Sequence, residues 1–247
     1  MCIRDRVKVA DIEWGMDYDH EEFDNQDLVE AIATTNNEYD DHGTAVMGEM
    51  IAEPNDYGVT GICYGIDQFR GYSEIAPGGR AAGIVKAISE LSAGDVFVYE
   101  MQAVGAQGDY GPADYSQTVW DLTKQASDAG IIIVAAAGNG DENLDAPEYA
   151  AYRARGDNGS IIVGAGTRVG RNKAGFSTYG KRVNLCGIGD WTIYTTGYGT
   201  LYNGGPHSTY TNNFSGTSSS TPLVAGAAVL VQSYAKQELG MTLTPIE

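Results

Sequence analysis

Two uninterrupted apolar runs, Ile131 to Gly138 (IIIVAAAG) and Ser160 to Gly166 (SIIVGAG), constrain this chain most. Each is too short for a helix that crosses a core and is apolar on both of its faces. Glycines bound the first and end the second. A strand with no polar face must be covered on both sides, which is the condition of a central strand in a parallel sheet. Amphipathic stretches alternate with such runs. Gly79 to Ala93 places Ala82, Val85, Ile88 and Leu91 on one helical face, and Tyr115 to Ala129 is a second helix stopped at Gly130. Val7 to Ile12 and Asp95 to Gln102 read as further strands, and Gly61 to Ile66 and Phe69 to Ser73 as shorter ones. The segment His42 to Ala52 reads as a buried helix with Asp40 and Asp41 as caps. A long small-residue helix opens near Ser218 and runs to about Glu238. This succession predicts an α/β fold with three layers, α/β/α, around a mainly parallel twisted sheet.

Composition narrows the function. The 247 residues include 33 acidic and 15 basic side chains, a formal net charge of −18. That balance disfavours nucleic acid as a partner, because phosphate binding needs basic surface, and fits a solvated acidic exterior. No apolar stretch approaches the roughly 20 residues that span a bilayer. Three cysteines, Cys2, Cys63 and Cys186, form no disulfide framework or zinc spacing and read as buried thiols. No linker or repeat divides the chain, so residues 7–247 read as one domain. Residues 1–6 (MCIRDR) read as a non-native scar without signal-peptide pattern, and the closing LTPIE reads as a cut end.

Polar groups at strand ends and helix starts carry the chemistry. In a doubly wound sheet, sites assemble at the carboxyl ends of the strands. Asp11 lies toward the end of VKVADI, Asn139 follows IIIVAAAG directly, and His42 and Ser218 each open a helix. A serine hydroxyl needs a neighbouring base, a histidine serves best near neutral pH, and an acid must orient its ring. Glu13, Asp17 and Asp19 are alternatives for the acid. His20 and His207 read as loop residues at the surface, and Ser219 and Ser220 as helix-interior serines pointing elsewhere.

The segments FSGTSSSTPLVAG (214–226), DDHGTAVMG, VADIEWGMD and AAAGNG occur in this order. Together they resemble the serine, histidine, aspartate and oxyanion-asparagine motifs of the subtilases, the peptidase S8 family, in a bacterial branch with an Asp-Ile-Glu-x-Gly motif. The resemblance covers Val7 to about Gln237. It implies a serine endopeptidase that works through an acyl-enzyme. Ser218 would be the nucleophile, His42 the general base, Asp11 the orienting acid and Asn139 the side-chain donor of the oxyanion hole. Pro222 is expected in the first turn of the Ser218 helix. The resemblance lays Tyr99 to Gln102 along the substrate cleft, so that Glu100, Met101, Gln102 and Gly138 would bind peptide, with Glu100 favouring a basic or polar side chain at the cleaved residue. No cofactor is required. A structural calcium ion would fall in the EPNDYGVTG loop, with Asn55 and Glu22 as ligands, although an ordinary polar turn is the preferred reading there. Protein or peptide substrates, a propeptide in the precursor, and secretion follow from the same resemblance. Two rivals remain open at this level: a pseudoprotease scaffold that keeps the motifs without productive geometry, and an esterase using the same residues.

Overall fold

The computed structural model describes residues 7–247; the scar reading of residues 1–6 and the thiol reading of Cys2 lie outside them. Seven parallel strands form one sheet. In chain order they are β1 (Lys8–Glu13), β2 (Leu28–Ile32), β3 (Gln68–Ser73), β4 (Val96–Tyr99), then, after a short hairpin of β5 (Gln102–Val104) and β6 (Tyr110–Pro112), β7 (Ile132–Ala136), β8 (Ile161–Gly166) and β9 (Leu185–Ile188). Their spatial order is β2-β3-β1-β4-β7-β8-β9. The helices are α1 (Asp40–Ile51), α2 (Gly79–Glu90), α3 (Gln117–Asp128), the single turn α4 (Ala150–Arg153) and α5 (Thr217–Tyr234). A separate antiparallel sheet holds β10 (Ile193–Thr196), β11 (Tyr202–Asn203) and β12 (Thr209–Phe214).

The layering follows from alternation along the central strands. Val9, Val96, Val98, Ile132, Val134 and Val163 face a core that α1 and α5 close with Met47, Met50, Ile51, Ala225 and Val229. Ala10, Ile12, Phe97, Tyr99, Ile133 and Ala135 face the opposite core, closed by Ile84 and Ala87 of α2 and Val119 and Ala126 of α3. Helices therefore cover both faces, the three-layer arrangement read from the apolar runs.

Four local readings change. Gly61 to Ile66 forms turns rather than a strand. Its amides donate to the carbonyls of Ala52, Glu49 and Met50, so the segment caps the last turn of α1. Asp40 and Asp41 lie inside the first turn of α1 and do not cap it; the residue before them, Tyr39, makes no side-chain cap. Pro222 is the sixth residue of α5 rather than part of its first turn, and its ring leaves the Ser218 carbonyl without the amide an ordinary residue would offer it. Cys63 is buried, but Cys186 is exposed on the edge strand β9.

Candidate active site

Strand β1 runs between β3 and β4 and ends at Glu13, two residues past Asp11. Asp11 and Glu13 therefore share the face turned toward α1 and α5, but only Glu13 stands at the carboxyl tip. There its two oxygens have separate partners: Oε1 accepts the Trp14 amide at 2.6 Å, and Oε2 bonds the Nδ1 of His42. Asp11, expected to hold His42, lies deeper, fully buried, with no hydrogen-bond partner at either oxygen. The sequence reading ended the strand at Ile12 and so expected Asp11 beside His42, where the structure puts Glu13. The usable signal was alternation, which puts both carboxylates on one face and leaves the later one at the rim.

His42 sits in the first turn of α1, and its ring packs between Trp14 (centroids 5.3 Å apart) and Phe214 (5.5 Å). Neither aromatic residue was given a place beside His42 from sequence. Burial pulls the imidazole pKa down, but the Glu13 charge and hydrogen bond outweigh it and leave the value raised.

Ser218 is the second residue of α5 and is 8% exposed. Gly216, at φ 96°, turns the chain into the helix, a backbone state that glycine reaches without strain. Ser219 and Ser220 are fully buried, and their hydroxyls donate to the Gly216 carbonyl. Across from Ser218, Asn139 follows β7. Its Oδ1 accepts both the Thr217 amide (2.9 Å) and the Thr217 hydroxyl (3.1 Å), which fixes the amide group with its NH₂ as the remaining donor. The Asn139 backbone N–H donates to Gln102 Oε1 at 3.1 Å.

His42, Ser218, Asn139, Glu100 and Gln102 all line one cleft of about 870 Å³, with Trp14, Tyr110, Phe176, Tyr198 and Phe214 among its walls. Two of the expected substrate contacts do not. Met101 points into the core shared with α2 and α3, because alternation turns it away from its neighbours Glu100 and Gln102. Gly138 is buried behind the β5–β6 hairpin: at φ 95° it packs so closely that a Cβ would lie 2.6 Å from the Tyr110 carbonyl oxygen. Tyr99 is likewise core. Glu100 is only 7% exposed, and burial, with Asp11, Glu13 and Glu49 adding to it, holds its carboxyl well above the usual range. Burial raises the cost of an ionised carboxylate at Glu100, which weighs against the basic half of the selectivity expected of it.

His20, expected at the surface, is fully buried. Its Nδ1 accepts the Glu22 amide and its Nε2 meets the Thr209 backbone, tying the loop after β1 to β12. His207 is exposed and bonds Asp17 at 2.9 Å. The expected calcium ligands are engaged otherwise. Glu22 accepts from the Val59 amide, the Asn55 side-chain amide and the Tyr210 hydroxyl, while Asn55 Oδ1 accepts the Tyr57 amide. These oxygens face hydrogen-bond donors rather than an open oxygen cage, so the residues do not fit a calcium ion as arranged. Among the described residues, Asp17, Asp19 and His207 bring three ligand atoms within 4.8 Å of one another, at a largely exposed position.

The subtilase family model matches residues 6–246. The chain belongs to the subtilase family. Among curated relatives, the calcium-dependent protease of Trichormus variabilis is 28% identical over 91% of the chain and 38% of its own length. Alkaline elastase YaB of a Bacillus species is 31% identical over 77% of the chain and 44% of its own length. The chain thus spans about two fifths of each. A cold-adapted subtilisin-like serine proteinase superposes with a TM-score of 0.69 at 23% identity, covering 97% of this chain and 78% of that one. The self-cleaved protease domain of PatA gives 0.71 at 21% identity, covering 97% and 84%. At these identities the two structures bear on the fold, and they share this subtilase's three-layer α/β arrangement. No helix among the described residues is long and apolar enough to cross a membrane.

Proposed function

We propose that this subtilase is a serine endopeptidase in which Ser218, His42 and Glu13 form the catalytic triad and Asn139 the side-chain arm of the oxyanion hole. The observation that carries the reading is the bond from His42 Nδ1 to a buried carboxylate at the tip of β1, in a cleft that Ser218 and Asn139 also line. Glu13 fixes the ring tautomer so that Nε2 is left for the serine proton. Peptide binding is expected to bring the Ser218 hydroxyl into line with Nε2, as such bonds often tighten only in the substrate complex.

Ser218 Oγ then adds to the scissile carbonyl while His42 takes its proton. The oxyanion is met by the Asn139 NH₂ and the Ser218 backbone N–H, at the positive end of α5. His42 returns the proton to the leaving amine, the C–N bond breaks, and water repeats the sequence on the acyl-enzyme. Residues 7–247 act as one catalytic unit in this reading, supported by the two cores that share one sheet. Protein or peptide substrates, a propeptide in the precursor and export belong to the same proposal. Calcium dependence is a property that one relative's name states; here Glu22 and Asn55 are satisfied by protein donors, and we propose that this loop works without the ion.

A fluorophosphonate probe tests the reading. Labelling of the folded protein that disappears in Ser218→Ala, together with hydrolysis of casein in preference to a short-chain ester, is the expected result. Folded protein that resists the probe would leave a non-catalytic scaffold, and a preference for the ester would leave an esterase.

A further inference from the structure

Beneath the nucleophile lies a set of carboxyl groups that the triad does not use. Asp11 is fully buried, Glu49 on α1 is 6% exposed, and Glu100 just beyond β4 is 7% exposed. All six of their side-chain oxygens lack a hydrogen-bond partner. Strand register explains why two of them gather. Asp11 stands beside Val98 of β4, and the Glu100 amide continues the ladder to the Ile12 carbonyl at 3.3 Å. Asp11, Val98 and Glu100 therefore share the face of the sheet that α1 and α5 cover, where Val98 packs in the same core as Met47 and Val229. Glu49 is buried on α1, the helix that covers this face, and Ser218, opening α5, lines the same cleft as Glu100.

An ionised carboxylate buried without a partner is costly, so such a group takes up a proton instead. Two other ways of neutralising the set are closed. The charged or chargeable neighbours are already paired: Glu13 with His42, and Glu74, just past β3, with Arg80 of α2. A bound cation would need converging ligand atoms, and among the described residues only Asp17, Asp19 and His207 converge in that way. Burial holds Asp11, Glu49 and Glu100 above the usual carboxylate range, Glu13 and Glu74 pushing Asp11 further and Asp11, Glu13 and Glu49 pushing Glu100 further.

We propose that Asp11, Glu49 and Glu100 are kept as neutral acids under the active site, so that Ser218, which lines the same cleft as Glu100, has no negative charge beside it. Losing the Glu100 proton to solvent would set that charge beside the forming oxyanion. Ionisation of this set therefore defines an alkaline limit of the hydrolase. The inference rests on the serine-endopeptidase reading for its kinetic consequence but not for the protonation state itself.

Two measurements separate those dependencies. Infrared spectra of the unmodified protein at pH 7 should show protonated-carboxyl C=O stretch shielded from solvent, weakened in Glu100→Gln and, independently, in Asp11→Asn. Absence of that band overturns the proposal whether or not the protein hydrolyses peptides. The pH profile of kcat/KM should show an alkaline limb that moves upward by at least about one pH unit in Glu100→Gln, about a tenfold change in proton affinity, while the acid limb stays in place. An alkaline limb unchanged by Glu100→Gln also overturns it. Failure of the parent to react with a fluorophosphonate would instead count against the hydrolase reading, with the infrared result still deciding the protonation claim.

Discussion

A glutamate carries its carboxyl one methylene further from the backbone than an aspartate, and at position 13 that reach lets one group hold both the Trp14 amide and the His42 ring. Glu13→Asp should draw the carboxylate back from Nδ1 and lower kcat by at least about tenfold, since sub-ångström to ångström misplacement of a catalytic group is costly. The pH dependence follows from the same contact. The base must be neutral to accept the serine proton, and Glu13 raises the His42 pKa above 6.5 despite burial. Protonation on lowering the pH therefore switches activity off above the ordinary histidine range. Measured kcat/KM should show an acid limb centred above pH 6.5, shifted downward in Glu13→Gln. The His-Gly-Thr and Gly-Thr-Ser segments marked His42 and Ser218 as residues that open helices, and the structure places both at helix starts on one cleft. Alternation put Asp11 and Glu13 on one face, but the choice between them turned on a strand boundary misplaced by a residue, which decides which acid reaches the rim.

Elements hold the Asn139 side of the cleft together. The β5–β6 hairpin lies against the Gly138–Gly140 segment, where the Tyr110 carbonyl accepts the Gly140 amide and the Thr178 hydroxyl. Gly138→Ala would place a methyl against backbone and ask alanine for φ 95°. It should cost about 2 kcal/mol or more, roughly 4–8 °C in Tm for a chain of this size, as calorimetry would register. At this scale, periodicity located the helices and central strands well because burial on both sides writes itself into apolar runs. It failed at Gly61–Ile66, an apolar segment buried by capping α1 rather than by pairing in a sheet, and at His20, whose burial is set by contact with Thr209, 189 residues away.

Across the whole molecule, acidity has two forms. Most acidic side chains among the described residues are exposed or half-buried, but Asp11, Glu49 and Glu100 are buried, and nothing in their spacing announces that β1, α1 and the end of β4 carry them to one face of the sheet. Their pKa values are higher folded than unfolded. The folded state therefore binds more protons, and their stabilising contribution is complete below the unfolded carboxylate range near 4 and is lost as pH rises. Glu49→Gln should accordingly raise Tm at pH 8 and lose that advantage toward pH 4. Chelation by EDTA should leave Tm within about 1 °C, because a ligand that binds only the folded state would otherwise lower it on removal.

The most direct measurement compares fluorophosphonate labelling rates of the parent, Glu13→Gln and Asp11→Asn at pH 8. Glu13 as the triad acid predicts a fall of about 10⁴-fold in Glu13→Gln, the scale on which losing this acid acts in serine proteases including a subtilisin, and a far smaller change in Asp11→Asn. A collapse in Asp11→Asn with Glu13→Gln near the parent rate would contradict the account.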